Sequence, residues 1–330
     1  MSVPGTEYTL SYIFRREEQA KELTQYFDMR YLIKGTEEAH YRLLNYSNEE
    51  ENKAKTPLSL FLQGEKDVFD LSVLYTLRDL LFPFNIVFFP TIDTTQRWLL
   101  DFDGPLSYAV CIADEQTSGR GRSNRKWEYP LGCLMFSVKI PTKQCKYSLF
   151  EMAPHLSALA VVLALESIPE FHSLQFRIRW PYDVVTDSDE KICGIINESH
   201  ESYEESYAVI GIGLHVNNVG ACCLKELAKC NKLISRSYIL SRFLLEFASL
   251  LRSFSQFGFE VVSSLYLRYW AHANSVIEVT GTDGNACSIT LKGITDDGYL
   301  KGQDAQQRWV ELYPDHNCED SLANMIAHFP

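Results

Sequence analysis

Hydrophobic residues recur along the chain with two periods, and the change of period marks regions of different secondary structure. Short apolar runs bounded by Gly, Pro, Asp or Asn predict buried strands, and they occur at residues 85–92, 108–113, 134–140, 176–180, 192–196 and 208–216. Apolar residues at three- and four-residue steps, or a longer unbroken apolar run, predict helices at 69–81, 156–165, 237–256 and 262–270. Strands and helices therefore alternate through the middle of the chain.

The two ends of the chain differ from this middle region. Beyond residue 274, short segments at 276–280, 287–293, 299–301 and 308–312 are separated by Asp-Gly pairs and Pro314, which predicts hairpins and a small barrel. Near the N-terminus, residues 15–26 resemble a helix, and the charged segment 47–57 resembles a surface loop. We therefore predict an N-terminal extension of unknown role (residues 1–68), an α/β core (69–272) and a β-rich C-terminal module (273–330).

Composition narrows the possible function classes. The 330 residues are 46% hydrophobic and 22% charged, as in a folded globular protein, and the formal net charge of −12 disfavours DNA as a partner. The apolar run 152–165 is too short to span a membrane, and the N-terminus lacks a secretory pattern, so we expect no membrane association. None of the nine cysteines forms a C-x-x-C pair, so we expect reduced thiols and a cytoplasmic protein.

Residues 116–127, Q-T-S-G-R-G-R-S-N-R-K-W, are the sharpest chemical signal in the sequence. Three Arg and one Lys alternate with small residues directly after a predicted strand. Glycine lets the backbone approach an anion closely, and the planar guanidinium matches phosphate or carboxylate oxygens. The alternative is a solvated basic loop without a ligand. The segment is neither a P-loop nor a dinucleotide fingerprint.

Four further segments carry polar or glycine residues at the ends of, or within, predicted strands. Each also has a purely structural interpretation: a helix N-cap at Thr95, a turn at Pro181 and Asp183, an edge lysine at Lys191, and a bulge at the strand glycines. Taken alone, none of the four identifies a function. The segments are D-T-T-Q at 93–96, R-W-P-Y-D at 179–183, K-I-C-G-I at 191–195 and G-I-G-L-H-V at 211–216.

In this order, the five segments resemble the catalytic domain of biotin–protein ligases. The family's phosphate loop, G-R-G-R-x-x-R-x-W, is matched throughout by residues 119–127. The family's S/T-T-N, K-W-P-N-D, K-x-x-G-I-L/I and G-I-G-I-N-V motifs correspond to residues 94–96, 179–183, 191–196 and 211–216. The resemblance covers roughly residues 69–326, and its C-terminal part is similar to eukaryotic holocarboxylase synthetases.

This resemblance implies a mixed α+β catalytic domain of the biotin/lipoate ligase type, followed by a small SH3-like barrel. It also implies an ATP-dependent ligase that uses Mg²⁺ and activates biotin to biotinyl-5′-AMP. The biotinyl group would then pass to a lysine of a biotin carboxyl carrier domain of a carboxylase. The alternatives are a lipoate or octanoate ligase on the same fold, and a non-catalytic module that binds biotin or a nucleotide. The oligomeric state stays open.

The resemblance also implies a role for individual residues. Catalysis is assigned to Arg122, Lys191 and Asp183, with Asp183 as a Mg²⁺ ligand as well. Biotin binding is assigned to Thr94, Thr95, Gln96, Gln116, Gly119, Arg120, Gly121, Arg122, Lys191, Gly194, Gly211 and Gly213. ATP binding is assigned to Arg120, Arg122, Arg125, Trp127, Arg179, Asp183, His215 and Asn217.

Three positions depart from the family's motifs. Arg179 stands where the family has Lys, Tyr182 replaces Asn in K-W-P-N-D, and His215 replaces Asn in G-I-G-I-N-V. Arginine keeps the charge of lysine but not its shape. We expect an altered but active nucleotide site, in which a neutral His215 donates a hydrogen bond in place of the amide.

Overall fold

We describe the fold from a computed structural model of the chain. The structure describes residues 10–13, 41–43, 62, 67, 69–76, 84–102, 108–121, 130–143, 145–201, 206–220, 222–281, 285–314, 322 and 325–329. The strands are β1 (Leu10–Ile13), β2 (Tyr41–Leu43), β3 (Asn85–Ile92), β4 (Ala109–Gln116), β5 (Cys133–Pro141), β6 (Phe176–Arg179), β7 (Asp183–Thr186), β8 (Lys191–Glu201), β9 (Ser206–His215), β10 (Val276–Gly281), β11 (Ala286–Ile294), β12 (Leu300–Gln303), β13 (Trp309–Pro314) and β14 (Met325–His328). The helices are α1 (Leu71–Thr76), α2 (Thr95–Leu100), α3 (Leu149–Glu166), α4 (Leu224–Leu227), α5 (Arg236–Phe257) and α6 (Glu260–Tyr269), with a 3₁₀ turn at Pro169–Phe171.

Nine of the described strands form one mixed sheet in the order β2-β1-β3-β4-β5-β9-β8-β7-β6. Strands β3 and β4 are parallel, so their carboxyl ends lie at the same edge, whereas β4, β5, β9 and β8 pair in antiparallel fashion. Strand β1 pairs with β3 and β2 pairs with β1. The predicted N-terminal extension therefore contributes two strands to the same sheet as the predicted core.

The two faces of the sheet are covered by different helices. Helices α3 and α5 pack on one face and form the larger hydrophobic core with residues such as Phe136, Ile212 and Phe243. The short helix α2 packs on the other face over a smaller core that includes Val87, Phe89 and Leu99. Strand β5 is buried along nearly its whole length because both of its faces are covered.

Helix α3 is apolar on all sides because it is enclosed by the fold. Its length and hydropathy are those of a membrane-crossing segment, but 78% of its residues are buried inside the molecule. A helix that is hydrophobic all round and enclosed by protein is a core helix. The sequence prediction of a buried core helix around residues 152–165 is confirmed.

The buried guanidinium of Arg236, at the start of α5, ties the N-terminal region to the sheet. Arg236 is 3% exposed, and its Nε and Nη2 atoms each lie 2.8 Å from a carboxylate oxygen, of Asp67 and Asp114 respectively. Its Nη1 donates to the carbonyl of Cys133 at 3.2 Å. Asp67 also accepts a hydrogen bond from the Asn217 amide at 2.8 Å. Residues on both sides of the predicted boundary at 68 thus share one buried polar network.

The C-terminal strands β10–β14 close into a barrel, which confirms the predicted SH3-like module. The turn between β11 and β12, which contains Asp297 and Gly298, lies against the N-terminal half of α3. The Ser148 hydroxyl hydrogen-bonds to the Asp297 carboxylate there, and Gly298 adopts a φ of 78° that favours glycine. The barrel is therefore docked directly on a core helix of the α/β region.

The six strands and four helices predicted in the middle of the chain are present wherever the structure describes them, with ends shifted by a few residues. The predicted helix 69–81 is seen as α1, and the rest of its span lies outside the described residues, as do the helix at 15–26 and the loop at 47–57. Strands β1, β2, β7 and β14 and helix α4 were not predicted. Most of these elements are short, and apolar periodicity gives little signal over three or four residues.

Candidate functional site

The site begins where the parallel strands β3 and β4 end together. Residues 93–96 follow β3, and residues 117–121 follow β4 directly. Two backbone hydrogen bonds join these segments, from Thr117 to the carbonyl of Ile92 and from Ser118 to that of Asp93, both at 2.9 Å. The two motifs singled out in the sequence are therefore neighbours in space.

The first part of the site is a set of buried, hydrogen-bonded neutral side chains. Thr95 is 2% exposed, its backbone N–H donates to Gln116 Oε1 at 2.8 Å, and its hydroxyl lies 2.9 Å from the Ser137 hydroxyl. Thr94, not Thr95, is the N-cap residue of α2. We call Thr94, Thr95, Gln96, Gln116, Ser137 and Gly211 the uncharged subsite.

Strands β5, β9 and β8 contribute small residues to the same face of the sheet. Residues directly opposite each other in antiparallel strands share a face, so Ser137 lies beside Gly211, and Gly213 lies beside Gly194. The strand runs through these glycines without a bulge. Gly194 and Gly213 add no side chain to this face, and a glycine pair of this kind suits close approach of a flat ligand.

Gly211 has a different role from the one predicted. A Cβ atom at this position would lie 2.7 Å from Gln96 Oε1 and 2.8 Å from Ile196 Cγ1. The space that the missing side chain provides is therefore occupied by the Gln96 amide rather than left for a ligand. Gln96 is held there by a 2.8 Å hydrogen bond from its Nε2 to the carbonyl of Val209.

Arg120, the first arginine of the basic loop, lies over the sheet face and pairs with a residue on a distant strand. Its Nη2 is 3.7 Å from Glu198 Oε2 on β8, which is three positions from β4 in the sheet order. The buried Arg120 Nε and Glu198 Oε2 atoms make no hydrogen bond in the structure. Gly119 and Gly121 flank Arg120, whereas the predicted residues Arg122, Arg125 and Trp127 lie outside the described residues.

The second part of the site is charged. Asp183 is 5% exposed, and its Oδ2 lies 2.9 Å from Lys191 Nζ and 3.7 Å from Arg179 Nη2. Arg179 also pairs with Asp189 at 3.0 Å. We call Arg179, Asp183, Lys191 and His215 the charged subsite. The structure thus brings together the cations and the carboxylate that the sequence assigned to nucleotide chemistry.

His215 ends β9 next to these charges. Its Nδ1 lies 3.1 Å from the carbonyl of Cys222, and since a carbonyl can only accept, Nδ1 carries the proton. Burial lowers the pKa of His215, and the nearby positive charge of Lys191 lowers it further, although the hydrogen bond to Cys222 acts in the opposite direction. The neutral ring therefore uses its single N–H within the fold, and donation from this N–H to the nucleotide stays a prediction that requires it to leave the Cys222 carbonyl.

The side chain of Asn217, which was predicted to bind ATP, is used within the fold. Its Nδ2 donates to Asp67 at 2.8 Å and to the carbonyl of Ile234 at 2.9 Å, and its Oδ1 accepts from the N–H of Ile234 at 2.9 Å. Both amide hydrogens are thereby engaged. A contact between Asn217 and ATP would have to replace one of these bonds.

The donors present do not fit a preformed metal centre. Within the described part of the chain, no group of three or more His, Cys, Asp or Glu residues is arranged to hold a metal ion. The Asp183 carboxylate, the predicted Mg²⁺ ligand, is neutralised by two cations instead. Its role as a metal ligand stays a prediction, and we derive no step through a metal.

Two residues of the site were not singled out from the sequence. Ser137 completes the hydroxyl pair of the uncharged subsite, and Glu198 is the partner of Arg120. Ser137 and Lys139 interrupt the apolar run of β5, and polar residues within a buried strand were a usable signal. Glu198 gave no signal, because an isolated acidic residue at the end of a strand is ordinary.

Comparison with known protein families finds one match, and it lies in the region that holds both subsites. Residues 88–217, which contain both subsites, match the profile of the biotin/lipoate A/B protein ligase family. This match agrees with the resemblance found in the sequence.

Two similar proteins of known name are both biotin–protein ligases. The chain is 30% identical over 257 residues to the human "Biotin--protein ligase", which covers 73% of this chain and 35% of that protein. It is 28% identical to "Biotin--protein ligase 2" of Arabidopsis thaliana, over 66% of this chain and 69% of that protein. The chain thus spans about a third of the length of the human relative.

Solved structures support the assignment of the fold. The "Biotin protein ligase from Aquifex aeolicus in complex with biotin and ATP" superposes with a TM-score of 0.57 at 23% identity. The match covers 74% of this chain and 99% of that chain. The predicted fold class, a catalytic domain of the biotin/lipoate ligase type, is confirmed.

Proposed function

We propose that this protein is an ATP-dependent biotin–protein ligase. The main observation in support is that an uncharged and a charged subsite lie together within residues 88–217, the region that matches the biotin/lipoate A/B protein ligase family. The uncharged subsite offers buried neutral hydrogen-bonding groups that suit the polar ureido end of biotin. The charged subsite offers fixed cations that suit the phosphates of ATP.

In the first step, a carboxylate oxygen of biotin attacks the α-phosphorus of ATP, the bond to the β-phosphate oxygen breaks, and pyrophosphate leaves. Thr94, Thr95 and Gln116 would bind the ureido group, and the glycine pair Gly194 and Gly213 would accommodate the ring. Lys191 would stabilise the negative charge that develops on the α-phosphate, with Arg120 and the loop residue Arg122. Such fixed charges are typically worth several kcal/mol in a transition state.

In the second step, the ε-amine of an acceptor lysine attacks the carbonyl carbon of biotinyl-5′-AMP and displaces AMP. The acceptor we propose is the biotin carboxyl carrier domain of a carboxylase, in the cytoplasm. The eight cysteines in the described part of the chain are all free, which supports a reducing compartment. The Arg-rich segment at residues 119–127 would shield the reactive anhydride from water.

The experiment is to mix the purified chain with biotin, ATP and Mg²⁺ and to detect biotinyl-5′-AMP by mass spectrometry. We expect the adenylate with the wild-type chain and none with Lys191→Ala, which removes the cation nearest the buried Asp183 carboxylate. Circular dichroism of the variant checks that it is folded. Lipoate in place of biotin serves as the matched substrate control, and we expect no lipoyl adenylate.

Two outcomes contradict the proposal. Biotin binding by calorimetry without any adenylate would indicate a binding module, and a lipoyl adenylate formed in preference to the biotinyl adenylate would indicate a lipoate ligase. Neither alternative is favoured by an observation on the described residues.

A further inference from the structure

His155 lies at a junction between the C-terminal barrel and the charged subsite. It belongs to the core helix α3 and is 2% exposed. One side of its ring faces the barrel turn, where a Cβ added to Gly298 would lie 3.1 Å from His155 Nε2. The other side faces the segment that joins β6 to β7, with ring centroids 5.9 Å from Trp180 and 5.4 Å from Tyr182.

Both ring nitrogens of His155 are used. Nδ1 lies 2.9 Å from the Tyr266 hydroxyl, and the ring also forms a hydrogen bond with the backbone of Gly298. The N–H of Gly298 already donates to the carbonyl of Thr295, so the carbonyl of Gly298 accepts from His155. Burial lowers the pKa of His155 to about 4, so the ring is neutral and has one N–H. Tyr266 therefore donates to Nδ1, and the ring orientation is fixed by two directional bonds.

The segment that His155 contacts presents the charged subsite. Trp180 and Tyr182 flank Pro181, and the next residue, Asp183, is the carboxylate that pairs with Lys191 at 2.9 Å. The backbone N–H of Trp180 is held separately, by a 2.8 Å hydrogen bond to His272 Nε2. The contact with the Tyr182 ring is a feature of this chain, because the family's motif has Asn at that position.

We propose that His155 is a positioning residue that transmits the docking of the barrel turn to the Trp180–Tyr182 segment and so sets the nucleotide half of the site. The inference rests on the proposed function, since it assigns the charged subsite to ATP. The proposal also explains the tyrosine at position 182. Its ring packs edge-on against His155, and the smaller asparagine of the family's motif would not fill this space.

The test compares steady-state adenylation by the wild-type chain and by His155→Phe, which keeps an aromatic ring but removes both hydrogen bonds. We expect the KM for ATP to rise about tenfold while the KM for biotin stays unchanged, because His155 contacts Trp180 and Tyr182, which lead directly to Asp183 of the charged subsite. The matched control is Ser157→Ala, on the same helix and fully buried, whose hydroxyl bonds only to the carbonyl of Ala153. We expect that control to leave both KM values unchanged.

A double-variant cycle separates positioning from a general loss of packing. In a Tyr182→Asn background the ring that rests on His155 is gone, so His155→Phe should change the KM for ATP much less than it does in the wild-type chain. Should His155→Phe fail to fold, Tyr266→Phe removes only the donor to Nδ1, and we expect about a threefold rise in the KM for ATP.

Three results overturn the inference. The first is an unchanged KM for ATP in His155→Phe, and the second is an equal rise in the KM for ATP and for biotin. The third is a double variant whose change in the KM for ATP equals the product of the two single-variant changes, because His155 and Tyr182 would then act independently. Wild-type adenylation in the same series separates the two proposals. If the wild-type chain forms no adenylate, the proposed function fails. If it forms adenylate and the variant shows no selective change, the inference alone fails.

Discussion

The two subsites on the domain are built in opposite ways. The uncharged subsite is assembled from neutral side chains that are hydrogen-bonded to one another; Thr95 and Ser137 are almost fully buried, and Gln116 is half-buried. The charged subsite consists of side chains that are about one-third exposed around one buried carboxylate, with Lys191 and Arg179 both attracted to Asp183.

This difference predicts different behaviour towards ligands. Buried hydrogen bonds fix their groups before a ligand arrives, so binding costs little reorganisation. The cations of the charged subsite are partly exposed, so an incoming phosphate can reach Lys191 and Arg179 and compete with Asp183 for them. The uncharged subsite should therefore recognise its ligand by shape, and the charged subsite should rearrange when the nucleotide binds. Four substitutions test this contrast.

The largest effect is expected at the charged subsite. Lys191→Ala removes the cation closest to Asp183, and we expect adenylate formation to fall by at least about a hundredfold because developing charge on the phosphate loses its partner. Pyrophosphate release measures the step, and calorimetry with biotin alone checks the other subsite, which should be unaffected. Adenylation at the wild-type rate would remove Lys191 from the site.

A smaller effect is expected where the uncharged subsite is most crowded. Gly211→Ala would force a Cβ against Gln96 and Ile196, and we expect biotin to bind about tenfold more weakly because this kind of overpacking displaces side chains. Isothermal calorimetry with biotin measures the change, and binding of ATP to the same protein is the internal control. Unchanged biotin affinity would show that Gln96 can move without consequence.

Loss of one hydroxyl from the uncharged subsite should have a still smaller effect. Thr95→Val keeps the shape but leaves the Ser137 hydroxyl without its 2.9 Å partner, and we expect about a fivefold loss of biotin affinity. Thr95→Ser keeps the hydroxyl and is the matched control. A loss in Thr95→Ser with none in Thr95→Val would mean that the methyl group, and not the hydroxyl, is what the subsite requires.

The smallest effect is expected from restoring the family's residue at position 215. Burial lowers the pKa of His215 below its usual 6.5, so the ring is neutral at neutral pH and gains a proton only in more acidic solution. We expect His215→Asn to change adenylation at neutral pH by less than about twofold. As the pH falls below the lowered pKa, the wild-type chain should lose activity relative to the variant, because a second positive charge then lies beside Lys191. Parallel pH–rate profiles for the two proteins would contradict this assignment.

The sequence predicted the long elements and the grouping of motifs better than the contacts within the site. Strand β3 could be predicted because its apolar run extends to Ile92. The polar residues that follow it could be assigned to a site because ligands commonly bind at the carboxyl ends of strands. The pairing of β3 with β1 could not, because it depends on residues far apart in the chain whose side-chain pattern is weak.

Within the site, residue types could be predicted but partners could not. Lys191 was assigned from its motif, whereas its contact with Asp183 depends on how β7 and β8 pair across an irregular register. Gly211 was taken to make room for a ligand, but only the packed structure shows that the Gln96 amide occupies that space. The motifs in the sequence predict which residues belong to the site, but they do not predict which side chains contact each other.

The buried Arg236 sets a practical limit on how this protein can be shortened. A fragment that begins at residue 69 would lack Asp67 and would keep the guanidinium in the interior with half of its carboxylate partners removed. Breaking a buried pair in this way typically costs about 3–5 kcal/mol, a large part of the stability of an ordinary domain. Any version trimmed for crystallisation or for fusion to another protein should therefore start well upstream of Asp67, even though every recognisable motif lies downstream of it.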